Sequence, residues 1–277
     1  MDTNVHKPHI AFIGAGNMAS SIIGGLVESG HPADHISAAD PFPPSLEKLS
    51  SIAPVRVCES NVQAVADAEV VVLAVKPQVM AEATGSIAAA VSASGAVTIS
   101  IAAGVTIASM QARLGDQAAI VRCMPNTPAL LACGASALYA NDQTSEAQRN
   151  YAQNILSAVG IVTWVPSEQA LDAITALSGS GPAYFFLFME AMIEAGVNLG
   201  LDRDTASVLT LQTALGASRM AQDNGLDLAE LRRRVTSPGG TTQRAVESFQ
   251  HNNLDSIVAQ AMQAAADRAA EMGREMG

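Results

Sequence analysis

The sequence is poor in groups that carry protons and in cations. Among its 277 residues are three lysines, Lys7, Lys48 and Lys76, all in the first third, and five histidines, His6, His9, His31, His35 and His251, with none from Ile36 to Gln250. An enzyme that oxidises a hydroxyl must take its proton as hydride leaves, and it positions a His, Lys, Tyr or metal ion to do so. No His, Cys and carboxylate residues fall at ligand spacing, so no metal is expected. Aromatic residues make up 4% of a chain that is 49% hydrophobic, so the core is built from Ala, Val, Leu, Ile and Met. Such a composition leans helical.

Positive charge is scarce as well. The formal charge of −11 argues against nucleic acid as a partner, because phosphate backbones are held by clustered Lys and Arg. The one basic run, Arg232-Arg233-Arg234, reads as the face or end of a helix. Three cysteines, Cys58, Cys123 and Cys133, cannot all pair, which points to a reducing compartment. The N-terminus lacks the pattern of a signal peptide, and no apolar run approaches the roughly 18 residues of a membrane span. A cytoplasmic location and no membrane association are expected.

What is present divides in two. Short apolar runs, Ile10 to Ile13, Ile36 to Ala39, Val70 to Val75, Val97 to Ile101 and Ile120 to Cys123, alternate with helix or loop, the pattern of a mostly parallel sheet with right-handed crossovers. Two later runs, Ser136 to Tyr139 and Ile161 to Val165, extend the same sheet at its far edge. After Pro166 no β-branched run of strand length returns, and Ala183 to Leu199, Arg203 to Gln222, Leu228 to Val235 and Leu254 to Met276 read as helices. The expected fold is α/β: an N-terminal Rossmann-type, mostly parallel sheet over residues 1–165, then an all-helical domain over residues 166–277. The segment "AYFFLFMEAMIEAGVNL" is apolar on too many sides for a half-exposed helix, which favours a homo-oligomer.

"IAFIGAGNMASSIIGGL", Ile10 to Leu26, places Gly14 at a tight turn after a strand, Gly16 where backbone must approach a pyrophosphate, and Ala19 where helix and strand pack closely. The helix start after Gly16 offers unpaired N–H groups to phosphate. Asp40 ends the second strand, where an acidic residue bonds the ribose 2′-hydroxyl and favours NAD. The alternatives are that Asp40-Pro41 starts a turn and that Ser45 or Lys48 reaches a phosphate. Lys76, in "AVKPQ", lies at a strand end where such sheets bind ligands, and Pro77 suits a first helical turn.

In the second half, "SGSGPAY" (Ser178 to Tyr184) and "TSPGGTT" (Thr236 to Thr242) each pair hydroxyls and glycines with a helix start. Gly239, Gly240 and the N–H groups of Thr241 and Thr242 form a candidate anion nest, against the alternative of two ordinary capped helices. These features fit a small carboxylate that accepts hydride without a strong protein acid. A protonated imine meets that description, since it brings its own proton and charge and leaves the enzyme to orient two bound molecules.

Six motifs, "FIGAGNMASSIIGGL", "LAVKPQ", "SIAAGVTI", "RCMPNTPAL", "SGSGPAYFF" and "VTSPGGTT", occur in the order and spacing of one family, so that the chain resembles the Δ1-pyrroline-5-carboxylate reductases from end to end. The resemblance implies NAD(P)H as hydride donor, NADPH more usually and NADH as an alternative, with pyrroline-5-carboxylate as substrate and L-proline as product. It implies that the helical domain dimerises and binds substrate, giving a homodimer and, as a larger assembly, a decamer of dimers. Carried onto this chain, Gly14, Gly16, Asn17 and Met18 hold the pyrophosphate, and Asp40 and Asn61 lie at the adenosine end. Ala74, Lys76 and Pro77 run along the cofactor, and Met124, Asn126 and Thr127 approach the nicotinamide. Substrate falls to Ser178, Gly179, Ser180, Gly181, Gly239, Gly240, Thr241 and Thr242, with Thr242 and Ser237 as catalytic residues. The Asp40-Pro41 turn departs from the family in offering no polar or basic group to a 2′-phosphate.

Two rivals stand beside this reading. A β-hydroxyacid dehydrogenase shares the fingerprint and helical second domain but needs a lysine after Lys76, where this chain has none. A non-catalytic NAD(P)-sensing module would explain Gly14 to Ala19 but not two polar helix starts suited to a carboxylate.

Overall fold

A computed structural model describes residues 6–223 and 225–276. The chain forms two compact units, Met1–Ser180 with Ala264–Gly277, and Gly181–Gln263.

The first unit holds an eight-stranded sheet. In chain order it runs β1 (Ile10–Ile13), α1 (Asn17–Glu28), β2 (Ile36–Ala39), α2 (Pro43–Ile52), β3 (Arg56–Val57), α3 (Asn61–Val65), β4 (Val70–Leu73), α4 (Met80–Ser94), β5 (Val97–Ser100), α5 (Ile107–Leu114), β6 (Ile120–Met124), β7 (Gly134–Ala140), α6 (Glu146–Ser157), β8 (Gly160–Trp164) and α7 (Ala170–Ile174). The spatial order is β3-β2-β1-β4-β5-β6-β7-β8, parallel throughout except where β7 meets β6 antiparallel. The two late runs thus lie at the far edge, as expected from sequence. Sequence reading missed β3, whose two exposed residues, one an arginine, carry no apolar pattern.

Alternation within β1 shows why the sheet is covered on both faces. Ile10 and Phe12 enter a core with Ile22, Ile23 and Leu26 of α1 and Ile155 of α6. Ala11 and Ile13 enter the opposite core with Val65 of α3, Ile87 of α4 and Met110 of α5. Strands buried on both faces read as unbroken apolar runs, which is what made them legible. Side chains fix several helix starts: Ser60 caps α3, Thr106 caps α5, and Ser145 with Gln148 forms a capping box on α6.

The first unit extends past the change of sequence pattern at residues 165 and 166. Leu171 and Ala176 are buried, and the Glu168 carboxylate accepts from Arg122 Nη1 of β6 at 2.7 Å and from the Ile107 N–H of α5 at 2.8 Å. These bonds bind α7 and the residues before it to the sheet.

The second unit is helical: α8 (Gly181–Asn198), α9 (Arg203–Asp223), α10 (Leu228–Arg234), α11 (Thr241–His251) and the start of α12 (Leu254–Met276), whose remainder from Ala264 belongs to the first unit. On α8, Phe185, Phe186 and Leu187 are exposed in the single chain. No described helix is long and apolar enough to cross a membrane.

Candidate active site

The turn after β1 is shaped for backbone approach. Gly14 has φ +98, its N–H donates to the Ala39 carbonyl at 2.8 Å, and a Cβ there would lie 2.6 Å from the Ala74 carbonyl oxygen. Only glycine fits. Gly16, which precedes α1, is different: a Cβ would meet nothing within 4 Å, and no side chain caps the helix. The first-turn N–H groups of α1 therefore face open space with the helix dipole behind them, an arrangement suited to a phosphate. The start of α1, like those of α2 and α4 and unlike those of α3, α5 and α6, has no side-chain cap.

A cleft of about 540 Å³ opens from that cradle along the carboxyl ends of the parallel strands. It brings together Gly16, Asn17 and Met18 with Ala74, Lys76 and Pro77 after β4, and with Met124, Asn126, Thr127 and Gly179. This is where open α/β sheets take ligands. Sequence reasoning had not assigned Ile101, Ala102 and Ala103 after β5, nor Met272 of α12. The first three lie in the motif "SIAAGVTI", so a signal was at hand. Met272 had none: it reaches the cleft through packing, its Cβ 3.0 Å from where a Cβ on Gly104 would stand.

Asn126 joins two walls of this cleft. Its Nδ2 donates to the Ser178 carbonyl at 3.0 Å, and its Oδ1 accepts from the Ala135 N–H at 2.9 Å. Ser178 and Gly179 lie in a π-turn, Thr175–Gly179, closed by the Ser180 N–H on the Thr175 carbonyl at 2.8 Å. A Cβ on Gly179 would come within 2.7 Å of Met124 Cε, the flexible end of that side chain, so the two pack closely. Single-turn π segments recur at functional sites because they re-aim the chain.

Three expected cofactor residues do not line the cleft. Gly14 is its support. Asn61 Nδ2 donates to Ser86 Oγ of α4 at 3.0 Å. Asp40 turns toward the glycine loop: Oδ2 accepts from the Ala15 N–H at 2.7 Å and Oδ1 from the Phe42 N–H at 2.8 Å. Its carboxylate thus bonds the loop and its own turn; sequence position left open a ribose ligand or a turn at Asp40-Pro41, and the turn is formed. Lys48 of α2, by contrast, reaches the cradle, with Nζ 2.9 Å from Asn17 Oδ1.

In the second unit, "TSPGGTT" forms the loop from α10 into α11. The Gly239 N–H donates to Gln243 Oε1 at 2.6 Å and the Gly240 N–H to the Ser237 carbonyl at 3.0 Å. These two donors are spent within the loop, so the expected nest narrows to the first-turn N–H groups of α11, which no side chain caps. Thr241, Thr242 and Ser237 are exposed there. Gln243 was not foreseen; its Nε2 also donates to Glu247 Oε1 at 2.7 Å.

Among the residues that line the cleft Lys76 is the ionisable one, and the buried groups with shifted titration lie outside it. Burial pushes the Cys123 thiol up to about 12, so it is an inert core residue. Asp172 is raised by burial, with Arg122 opposing and Glu168 adding to the effect. Among the described residues no group of three His, Cys, Asp or Glu is placed to hold a metal ion.

A mostly parallel sheet, a glycine cradle at the first helix start and a cleft across the strand ends define a nucleotide-dependent oxidoreductase of Rossmann type. The family profile described as "NADP oxidoreductase coenzyme F420-dependent" matches residues 9–104, and that described as "Pyrroline-5-carboxylate reductase dimerisation" matches residues 168–272. The chain is 55% identical over 270 residues to the pyrroline-5-carboxylate reductase of Pseudomonas aeruginosa, covering 98% of each. The structure of a pyrroline-5-carboxylate reductase from Coxiella burnetii superposes with a TM-score of 0.93 at 42% identity, over 96% of this chain and 99% of that one. A pyrroline carboxylate reductase from Plasmodium falciparum, solved with NADP bound, gives 0.84 at 29% identity, over 96% and 98%. The chain belongs to the pyrroline-5-carboxylate reductase family.

Proposed function

We propose that this protein reduces 1-pyrroline-5-carboxylate to L-proline with NADPH or NADH, the last step of proline biosynthesis. The observation that carries the proposal is the start of α1 behind Gly16, which no side chain caps, opening on a cleft lined by Gly16, Asn17 and Lys76, in a chain of this family. The residues present fit a dinucleotide, because the space above Gly16 is one that a Cβ would enter and a pyrophosphate would fill. The bound cofactor supplies hydride.

The chain's own residues bind and orient. The N–H groups of Asn17 and Met18 hold the pyrophosphate, Lys76 and Pro77 run along the cofactor, and Met124, Asn126 and Thr127 form the nicotinamide wall. The first-turn N–H groups at Thr241 and Thr242 hold the substrate carboxylate, and the Thr242 hydroxyl bonds the ring nitrogen. Ser178 to Gly181 shape the opposite wall. The substrate reacts as its iminium ion: hydride adds to the C=N carbon, the π electrons pass to nitrogen, and the N–H proton already present stays. The iminium brings its own proton, so the step needs none from the Lys76 side chain that lines the cleft. Ser237 supports this loop through its carbonyl on the Gly240 N–H.

The dimerisation profile over residues 168–272 and the exposed aromatic residues of α8 support a homodimer, which we extend to a decamer of dimers and to substrate walls drawn from two subunits. A cytoplasmic location suits a biosynthetic enzyme with free cysteines.

The test is oxidation of NADPH and NADH on adding pyrroline-5-carboxylate, with proline assayed as product. Turnover is expected; folded protein consuming neither cofactor would return the sensing module to the front. Thr242→Ala is expected to raise the substrate KM and lower kcat, and unchanged values for both would remove Thr242 from its role.

A further inference from the structure

We propose that Lys48 is the residue through which this reductase accepts the 2′-phosphate of NADPH. The proposal rests on reading the cleft as the NAD(P)H site and adds the determinant of cofactor choice. The carboxyl end of β2 is where a Rossmann unit meets the adenosine ribose. A free carboxylate there repels a 2′-phosphate, and Asp40 stands at that point. Its two oxygens, however, face the Ala15 and Phe42 N–H groups at 2.7 and 2.8 Å. The negative charge is thereby directed into the loop and partly offset by two backbone dipoles.

Lys48 approaches the same region from α2, the helix that follows β2. Its ammonium donates to Asn17 Oδ1 at 2.9 Å, and Asn17 is the first residue of α1. The amine therefore stands beside the first residue of the pyrophosphate cradle, carried there by the helix that follows β2. The Asn17 amide that receives it is neutral, and among the described residues no carboxylate forms an ion pair with it. In a chain of net charge −11, an ammonium without an ion-pair partner beside a phosphate cradle is a cation kept available for a ligand. A lysine acts on phosphate as a flexible point charge, so moving from the Asn17 amide to a phosphate monoester costs little geometry. Ser45 precedes Lys48 by three residues on the same helix and shares its face.

The test measures binding of adenosine 2′,5′-bisphosphate and of adenosine 5′-monophosphate to the full chain by calorimetry, with wild type, Lys48→Gln and Lys48→Arg, beside the KM for NADPH and NADH. Lys48→Gln is expected to weaken the bisphosphate about tenfold, the loss of one charge-assisted contact, and to leave the monophosphate unchanged. The NADPH KM should rise in parallel while the NADH KM holds, and Lys48→Arg should restore both readings toward wild type. The wild-type preference for the bisphosphate should shrink as salt is raised. An equal loss for both nucleotides would place Lys48 on the 5′-phosphate side and overturn the proposal, as would no loss for either. Wild-type protein that binds neither nucleotide and turns over neither cofactor would overturn the cofactor site itself.

Discussion

Removing the Asp40 carboxylate separates two roles that sequence position leaves equivalent. In Asp40→Ala the Ala15 N–H loses its acceptor at 2.7 Å, and Ala15 is 2% exposed, so water does not replace it while the loop keeps its shape. A hydrogen bond from backbone to a charged group contributes about 1.5–3 kcal/mol, and an orphaned buried donor costs a comparable amount. Phe42 is 61% exposed, and water takes over its N–H at little cost. The expected loss is therefore about 2–3 kcal/mol, a minor part of the ~5–15 kcal/mol that holds a domain together, so the variant still folds. Trp164 in β8 is the single tryptophan, and its fluorescence in a urea titration reports on the first unit. Because the glycine loop serves the pyrophosphate common to both cofactors, the KM for NADPH and for NADH should rise together. Asp40→Asn, which keeps one acceptor for Ala15, should recover most of the stability. A ribose ligand predicts the opposite pattern, a higher KM for NADH with NADPH improved. That pattern, or stability within about 0.5 kcal/mol of wild type, would refute the loop role.

Gly14→Ala, at φ +98 with its Cβ 2.6 Å from the Ala74 carbonyl oxygen, should cost at least ~2–3 kcal/mol, lower Tm by roughly 5–10 °C in calorimetry and abolish cofactor binding; a variant with wild-type Tm would deny the close approach. Gln243→Leu removes the acceptor that holds the Gly239 N–H and should raise the pyrroline-5-carboxylate KM about fivefold, the worth of ~1 kcal/mol, with the NADPH KM unchanged; equal effects on both would point to general unfolding. Burial lowers the His31 pKa from its ordinary 6.5, against the raising effect of the Pro8 carbonyl. The unfolded chain then binds the proton first, so stability should decline as pH falls from about 6.5 through the lower folded value, with no contribution from this residue above that range. Urea midpoints taken from about pH 8 to 5 should show this slope and lose it in His31→Gln, and identical slopes in the two proteins would assign it elsewhere.

The parallel sheet was legible because strands buried on both faces leave unbroken runs such as Val70–Leu73, all four residues of which are buried. The glycine loop was legible because its constraint is local: Gly14 answers to the Ala74 carbonyl one strand away, and Gly16 opens the helix start that follows it. β3 was hidden because an exposed two-residue edge strand is specified by its neighbour's backbone and needs no apolar pattern. Met272 was hidden for a related reason, since a methionine on a helix says nothing of which distant glycine turn it will cover. Gln243 escaped notice because glutamine at the first turn of a helix is ordinary, and only the fold of the Gly239 turn brings that N–H within 2.6 Å of it.

Asp40 shows where reading along the chain stops being enough. Its place at the end of β2 was recognised, and that place permits either a ribose ligand or a turn. Two features present in the sequence favour the turn: Pro41 follows it and provides no N–H, so the nearest forward donor is Phe42, which the Asp40 side chain takes. The second oxygen is then directed back toward the first strand, where the left-handed Gly14 leaves the Ala15 N–H without a partner in the ladder. Each carboxylate oxygen accepts up to two hydrogen bonds, so Asp40 satisfies one donor in its own turn and another in the neighbouring loop and still has accepting capacity left. The loop role of Asp40 and a ribose contact are therefore separated by the cofactor pattern of the Asp40→Ala variant, with both KM values raised for the first and NADPH improved for the second.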